Sequence, residues 1–310
     1  MKTLHHSTAS NILRFAVLLA SSLLLLANNS TAQSIDESTL APPLETTVDI
    51  SHAQLNVLIW ESQNSNGETI LALPGSGADV TRYKYIGPRL ADAGYRFIGI
   101  NQRGIMGSNG ELENLDLHDY ARDIVDVMNA FDQNKVHMVG WAMGNRTSRV
   151  VATNFPERVA TVSLIAAGGL APPLTEPGEL SQLLGNKDLS TEEKVRLARR
   201  TMFSPASDEK LIREYVADLN YWNEARRSQS RANQATPREL WWAGGTGPML
   251  IIQGLDDKTA PPENGMRMKK EYGERITLKN LPDAGHAMGL EKPAETASAL
   301  ISFLRSHPIE

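Results

Sequence analysis

The feature that most restricts the fold of this chain is a regular alternation of short β-type runs with longer segments of helical period. This order predicts the α/β class, with a mostly parallel sheet flanked by helices. Residues Asp116–Phe131 repeat apolar side chains at the spacing of an amphipathic helix that packs on a sheet. We predict strands at Leu55–Trp60, Thr69–Leu73, Arg96–Ile100, Val136–Val139, Thr161–Ile165, Met249–Ile252 and Ile276–Leu278.

The N-terminus has the three parts of a secretory signal peptide. Lys2 and Arg14 supply the basic region, Phe15–Ala27 is the apolar run, and small residues up to Ala32 precede a cleavage site. The apolar run is shorter than the roughly 20 residues that a membrane-spanning helix needs, so an uncleaved anchor is the less favoured alternative. The sequence therefore predicts a signal peptide at residues 1–32, cleavage after Ala32, and a periplasmic or secreted protein.

Charge and composition exclude several classes of partner. The 310 residues carry a formal net charge of −5 and include no cysteine. Nucleic acid is not expected, because phosphate backbones are bound by clustered Lys and Arg, and disulfides and thiolate metal ligands are impossible. His52, His118 and His137 lack metal-ligand spacing, and the glycine-rich stretches lack nucleotide-binding signatures. We expect a small-molecule ligand, no metal, no cofactor and no stable membrane insertion after cleavage.

A long stretch without strand-like runs interrupts the alternation between about residues 171 and 245. It opens on a Pro-Pro pair, closes on a Gly-Gly pair and contains a capped helix start at Thr191. We predict one domain over residues 33–310, in which this stretch is a helical cap. Its aromatic side chains are expected to bury the cap against the main domain, with the lining of a pocket as the alternative: Tyr215, Tyr221, Trp222, Trp241 and Trp242.

The run Val136–Val139 leads into residues 140–144, which read Gly-Trp-Ala-Met-Gly, and then into a helical pattern. The spacing of the two glycines matches the nucleophile elbow G-x-S-x-G, in which a tight turn lifts the central side chain into an active site. Ala142 occupies the serine position. Two glycines at this spacing are weak evidence alone, because helix packing against a strand also selects them.

Two loops that follow later strands carry an acid and a histidine. Met249–Ile252 leads to Asp256 and Asp257, and the last predicted strand leads to His286. The order of elbow, acid and histidine, each after a strand, resembles the α/β-hydrolase superfamily over nearly the whole mature chain except the cap. The resemblance implies that Asp257 is the acid of a catalytic triad, that His286 is its histidine, and that Asp256 is a turn residue.

A further segment fits the same resemblance. The segment Leu-Pro-Gly-Ser-Gly is similar to the oxyanion loop of the superfamily, with Pro74 in place of the usual histidine. The resemblance implies that the backbone N–H groups of Ser76 and Met143 are the oxyanion donors. It also implies that Gly75 and Trp141, which stand beside these donors, belong to the same binding region.

An alanine at the elbow removes the oxygen atom that attacks the substrate. In the ordinary mechanism serine attacks an acyl carbon, histidine takes the proton and aspartate orients the histidine. Loss of the serine typically lowers turnover by on the order of a millionfold, which disfavours acyl-enzyme chemistry here. Neither Ser76 nor Ser108 is expected to replace it, because the first fits a loop that approaches the ligand and the second fits a turn.

Three interpretations follow. The favoured one is hydrolysis or lyase-type cleavage of a small carbonyl or ester-like compound, in which His286, oriented by Asp257, deprotonates a water or a substrate carbon. The second is a non-catalytic pseudo-hydrolase that binds a small ligand. The third is a serine esterase with an engineered Ser to Ala change, against which the uncommon elbow neighbours Trp141 and Asn145 argue. Retention of both Asp257 and His286 favours an enzyme.

Overall fold

The computed structural model describes residues 40–309, which form one eight-stranded sheet with helices on both faces. The strands are β1 (Leu44–Ile50), β2 (Ala53–Trp60), β3 (Thr69–Leu73), β4 (Arg96–Ile100), β5 (Val136–Trp141), β6 (Val159–Ile165), β7 (Met249–Gly254) and β8 (Ile276–Leu281). Their order across the sheet is β1-β2-β4-β3-β5-β6-β7-β8. The β1–β2 and β2–β4 pairs are antiparallel and all others are parallel. The predicted fold class is confirmed.

All seven predicted strands are present, and β3 and β4 have the predicted bounds. The sequence does not predict β1, because this edge strand buries one side chain, Val48, and carries mostly polar residues. The predicted signal peptide, residues 1–32, lies outside the described residues. Among residues 40–309, no helix has both the length and the apolar composition needed to cross a bilayer.

The helices lie where the sequence pattern requires them to cover the sheet. They are α1 (Gly87–Asp92), α2 (Leu117–Ala130), α3 (Gly144–Asn154), α4 (Glu179–Gly185), α5 (Thr191–Thr201), α6 (Glu209–Ala217), α7 (Asn223–Ala235), α8 (Glu263–Tyr272), α9 (Met288–Glu291) and α10 (Pro293–Arg305). Helices α4 to α7 lie between β6 and β7, within the range given above for the cap. Helix α5 is capped by Ser190, which precedes Thr191 and exchanges hydrogen bonds with Glu193.

Each buried strand sends alternate side chains into two separate apolar cores, one on each face of the sheet. In β3, Ile70 and Ala72 enter the first core, whereas Leu71 and Leu73 enter the second. This two-sided burial explains why the central strands have continuous apolar sequences. Parallel pairing places the carboxyl ends of β3, β5, β6, β7 and β8 at one edge of the sheet, where the candidate catalytic residues follow.

Candidate active site

Strand β5 ends in a tight turn whose central residue is Ala142. Its φ angle is 50°, in the left-handed region that residues with a Cβ rarely adopt. The flanking glycines are required by close contacts, since a Cβ at Gly140 would lie 2.6 Å from the backbone N of Asn145 and one at Gly144 would lie 2.2 Å from the Leu73 carbonyl oxygen. The backbone of a nucleophile elbow is therefore present, with a methyl group at its tip.

The unusual Asn145 has a structural explanation. Its Nδ2 donates hydrogen bonds to the main-chain oxygens of Ile165 at 2.9 Å and Ala166 at 3.1 Å, at the end of β6. The Ala142 N–H also donates to Ile165 O, at 3.0 Å. The side chain of Asn145 thus ties the start of α3 to the neighbouring strand and holds the turn in place.

His286 and Asp257 form a buried pair beside the elbow. His286 Nδ1 lies 2.9 Å from Asp257 Oδ2, and the two residues are 6% and 1% exposed. Asp257 Oδ1 accepts hydrogen bonds from the N–H groups of Thr259 at 2.9 Å and Ala260 at 2.7 Å. Both carboxylate oxygens are therefore engaged, which fixes the acid and leaves the imidazole only a small range of orientations.

Asp256 does not take part in this pair. Its Oδ2 accepts a hydrogen bond from Ser204 Oγ at 2.6 Å, and its N–H donates to Ala284 O. Ser108 is likewise committed elsewhere, because its Oγ donates to Asn101 O and accepts from the N–H of Asn56, both at 2.8 Å. These contacts agree with turn roles for both residues.

Two side chains position the histidine loop, and sequence reasoning missed both roles. Trp141 Nε1 donates a hydrogen bond to His286 O at 3.0 Å. Glu291 accepts from the N–H of Gly285 at 2.8 Å and from the N–H of Ser204 and the hydroxyl of Ser207. Burial raises the pKa of Glu291 although these three donors lower it. The available sequence signal was the position of each residue, next to the elbow and five residues after the histidine.

The predicted oxyanion donors lie together at the elbow. A Cβ at Gly75 would lie 3.7 Å from the Ala142 Cβ, so the loop after β3 packs directly on the turn. Ser76 and Met143 line the same cavity as Ala142. Among residues 40–309, neither of their N–H groups has a protein acceptor. The arrangement can therefore present two N–H donors to a developing negative charge.

The candidate site opens into a cavity of about 470 Å³, a volume suited to a small molecule. His286, Trp141 and Ala142 are among the residues that line it. Of the five aromatic side chains named above for the cap, only Tyr215 lines the cavity, and Trp241 and Trp242 are buried. The same segment contributes further lining residues: Leu180, Leu184, Met202, Ser230 and Asn233.

The cavity wall is cationic at two points that the sequence did not single out. Arg82 and Arg146 both line it, and none of its lining residues is an Asp or Glu. Burial lowers the pKa of Arg146. Within the part of the chain that the structure describes, no group of three or more potential metal ligands is present.

Comparison with known proteins supports the architecture. Residues 69–201 match the family model described as the alpha/beta hydrolase fold. The 2-hydroxy-6-oxo-6-phenylhexa-2,4-dienoate hydrolase of Comamonas testosteroni is 26% identical, with 80% of this chain and 91% of that protein covered. The dihydrolipoyllysine-residue acetyltransferase component of the acetoin cleaving system of Pseudomonas putida is 27% identical, with 81% and 67% covered.

Solved structures give the same result for the fold. A meta-cleavage product hydrolase from Pseudomonas fluorescens superimposes with a TM-score of 0.70 at 20% identity, over 85% of this chain and 98% of that one. A bacterial membrane phospholipase A superimposes with a TM-score of 0.69 at 20% identity, over 95% and 96%. At these identities the likeness concerns the fold and leaves the substrate open.

Proposed function

Because this chain is a member of the α/β-hydrolase superfamily, we propose that it is an exported hydrolase in which His286 and Asp257 activate water against a small carbonyl or ester-like compound. The proposal depends on one observation, the 2.9 Å contact between His286 Nδ1 and Asp257 Oδ2 beside a strained elbow that carries no serine. A left-handed alanine costs about 1–2 kcal/mol. Strain of this kind persists where the surrounding structure enforces it, commonly at functional sites.

The geometry supports a direct attack by water. Asp257 accepts the Nδ1 hydrogen of His286, which leaves Nε2 as the base. A water oxygen attacks the substrate carbonyl carbon while Nε2 takes one of its protons, and the N–H groups of Ser76 and Met143 bind the oxyanion. When the tetrahedral intermediate collapses, the leaving atom takes the proton from Nε2. The products are an acid and an alcohol, or an acid and a ketone where a carbon–carbon bond breaks.

A lyase variant uses the same groups in another order. His286 Nε2 removes a proton from a carbon next to the carbonyl, and the two N–H donors stabilise the enolate that forms. No nucleophile is needed for that step, so Ala142 is no obstacle to it. The hydrolases among the relatives of this chain make hydrolysis the preferred form of the proposal.

The test compares turnover in matched variants. Four proteins are each assayed on an ester, a lactone and a 1,3-diketone: the unmodified protein, His286→Ala, Asp257→Asn and His52→Ala, whose substitution is at an exposed site and serves as the control. We expect His286→Ala and Asp257→Asn to lower kcat/KM by about 10²-fold or more, and His52→Ala to leave it unchanged. Equal rates in all four proteins on every compound turned over would contradict the proposal. The alternative function, a non-catalytic pseudo-hydrolase, is supported by the missing serine oxygen. Saturable binding of these compounds without turnover would favour it.

Export is a separate part of the proposal and is supported by the sequence of residues 1–32 alone. Its test is the intact mass of protein recovered from the periplasm or medium of a bacterial culture. We expect a chain that begins at Gln33, because cleavage follows Ala32. A full-length chain retained in the cells would contradict export.

A further inference from the structure

Arg146 is the cation closest in sequence to the elbow, four residues after Ala142 on α3. Side chains on a helix tilt toward its N-terminus, which directs this guanidinium back to the turn. Its Nη1 lies 3.8 Å from the sulfur of Met143, which is a weak acceptor. No carboxylate oxygen of residues 40–309 lies within 4.0 Å of the guanidinium nitrogens. A partly buried cation therefore lines the cavity, and no carboxylate of the described residues neutralises it.

A second guanidinium shares the same aromatic neighbour. The Cζ atoms of Arg146 and Arg149 lie 5.5 Å and 4.6 Å from the centre of the Trp241 ring. We call these three side chains the Arg146–Trp241–Arg149 cluster. Burial, and then the charge of Arg146, lower the pKa of Arg149 to about 9. The positive charges of Arg146 and Arg149 lie against the same indole ring and repel each other. An anion bound to Arg146 in the cavity would reduce that repulsion.

The two arginines of the cluster differ in what they already bind. Arg149 is fully buried and donates to the main-chain oxygens of Asn145 at 3.2 Å and Gly168 at 3.0 Å. Glu271 approaches this region but accepts its hydrogen bond from Trp242 Nε1. Arg149 thus supplies fixed positive charge behind Trp241, whereas Arg146 faces the cavity and keeps donors for a ligand.

Arg82, the other cation of the cavity, is already committed to the protein. Its Nη2 donates to Asp218 O at 3.1 Å, and its guanidinium lies 4.5 Å from the centre of the Tyr215 ring. It therefore holds the C-terminal end of α6 against the main domain. This difference identifies Arg146, rather than Arg82, as the cavity cation that keeps donors for a ligand.

We propose that Arg146, with Trp241 and Arg149 packed behind it, is a carboxylate-binding subsite, and that the compound which enters this cavity carries a carboxylate group as well as a carbonyl. One guanidinium edge presents two parallel N–H donors, which match the two oxygens of a carboxylate. The apolar wall that includes Leu180, Leu184 and Met202 fits the carbon skeleton of such a compound. The placement of its carbonyl at Ala142 rests on the proposed function, whereas the subsite itself does not.

The test measures binding, so that it is independent of turnover. Calorimetric titrations of the full chain compare 3-phenylpropanoate with its neutral isostere 3-phenylpropanamide. We expect the carboxylate to bind at least about 10-fold more tightly, because a charge-assisted bidentate contact distinguishes them. Arg146→Gln should reduce this ratio to about 2-fold with the affinity for the amide unchanged. Arg146→Lys should give an intermediate ratio, and Arg122→Gln, which removes an exposed cation that does not line the cavity, should keep the full ratio.

Each other result has a defined meaning. Equal affinities in the unmodified protein, binding of neither compound, or an unchanged ratio in Arg146→Gln would overturn the subsite. Tighter binding of phenyl phosphate than of the carboxylate would overturn the assignment to carboxylates. If Arg146→Gln does not fold by circular dichroism, Arg146→Lys decides, because it keeps the charge and removes the paired donors. If His286→Ala keeps the full ratio of carboxylate to amide affinity, the subsite is supported whether or not His286 is needed for turnover. Failure of the subsite can therefore be distinguished from failure of the proposed hydrolase.

Discussion

Trp141 Nε1 donates a hydrogen bond to His286 O at 3.0 Å, and this bond joins the elbow to the loop that carries the histidine. The two residues are 145 positions apart in the chain, and both are buried. The elbow and the histidine are therefore held in one rigid unit through a side chain that immediately precedes Ala142. Tryptophan at this position has a mechanical role that a smaller residue could not fill.

Trp141→Phe is expected to loosen this unit. It leaves the carbonyl of His286 buried without its donor, and we expect the free energy of unfolding to fall by about 1–3 kcal/mol. Urea unfolding followed by circular dichroism measures the change. Trp60→Phe is the control for loss of the indole alone, since Trp60 is also buried but packs edge-on against Phe97. An equal effect of the two substitutions would show that the bond to His286 contributes nothing.

Ala142→Gly should relieve the strain at the elbow. At φ 50° alanine pays about 1–2 kcal/mol that glycine does not, while glycine loses about 0.5–1 kcal/mol through its greater freedom in the unfolded chain. We expect the free energy of unfolding to stay the same or rise by up to about 1 kcal/mol. Ala299→Gly, in the middle of α10, should lower it by about 1 kcal/mol. A comparable loss in both variants would mean that the turn is not strained.

The fold could be predicted from the sequence because each buried strand can be recognised from its own apolar residues. The runs in β3 and β4 are apolar on both faces, so their bounds are visible without tertiary information. Strand β1 could not be found in this way, because an edge strand with one buried side chain has the composition of a loop. Its pairing depends on the hairpin with β2, which is a tertiary property.

The site was predictable to the extent that each residue follows the end of a strand. Asp257 and His286 lie after β7 and β8, and parallel strands bring their carboxyl ends to one edge. Glu291 and Arg146 could not be assigned from sequence, because their roles depend on side-chain direction. The carboxylate of Glu291 turns back to Gly285 and across to Ser204, and no local pattern indicates either partner.

Glu291 should give the protein a pH-dependent stability. Burial, and to a smaller extent the charge of Asp257, raise the pKa of Glu291 above its ordinary value of 4.5. Between that value and the raised one, the folded protein keeps a proton that the unfolded chain has lost. The stability from this group is therefore full below pH 4.5 and is lost as the pH rises through the folded pKa.

Glu291→Gln removes this titration. We expect the free energy of unfolding of the unmodified protein, minus that of Glu291→Gln, to decrease as the pH rises from 4.5 and then to become constant. Urea unfolding at intervals of half a pH unit measures the difference. If the free energies of unfolding of the two proteins changed with pH in the same way, Glu291 would have the same pKa in the folded and the unfolded chain.

Ala142→Ser should convert the site into one that reacts as a serine hydrolase. The turn already has the backbone conformation that exposes the central side chain, and serine adds only the missing oxygen next to the cavity that His286 lines. A fluorophosphonate probe reacts with a serine that a histidine has activated, so we expect labelling of Ala142→Ser and none of the unmodified protein. The double variants Ala142→Ser/His286→Ala and Ala142→Ser/Asp257→Asn should lose most of the labelling, because the serine is no longer deprotonated. Peptide mass spectrometry would place the adduct at position 142.

Labelling of the unmodified protein would identify another serine as the nucleophile and remove the basis for the water mechanism. An unlabelled Ala142→Ser would show that the contact of His286 with Asp257 does not make a working base.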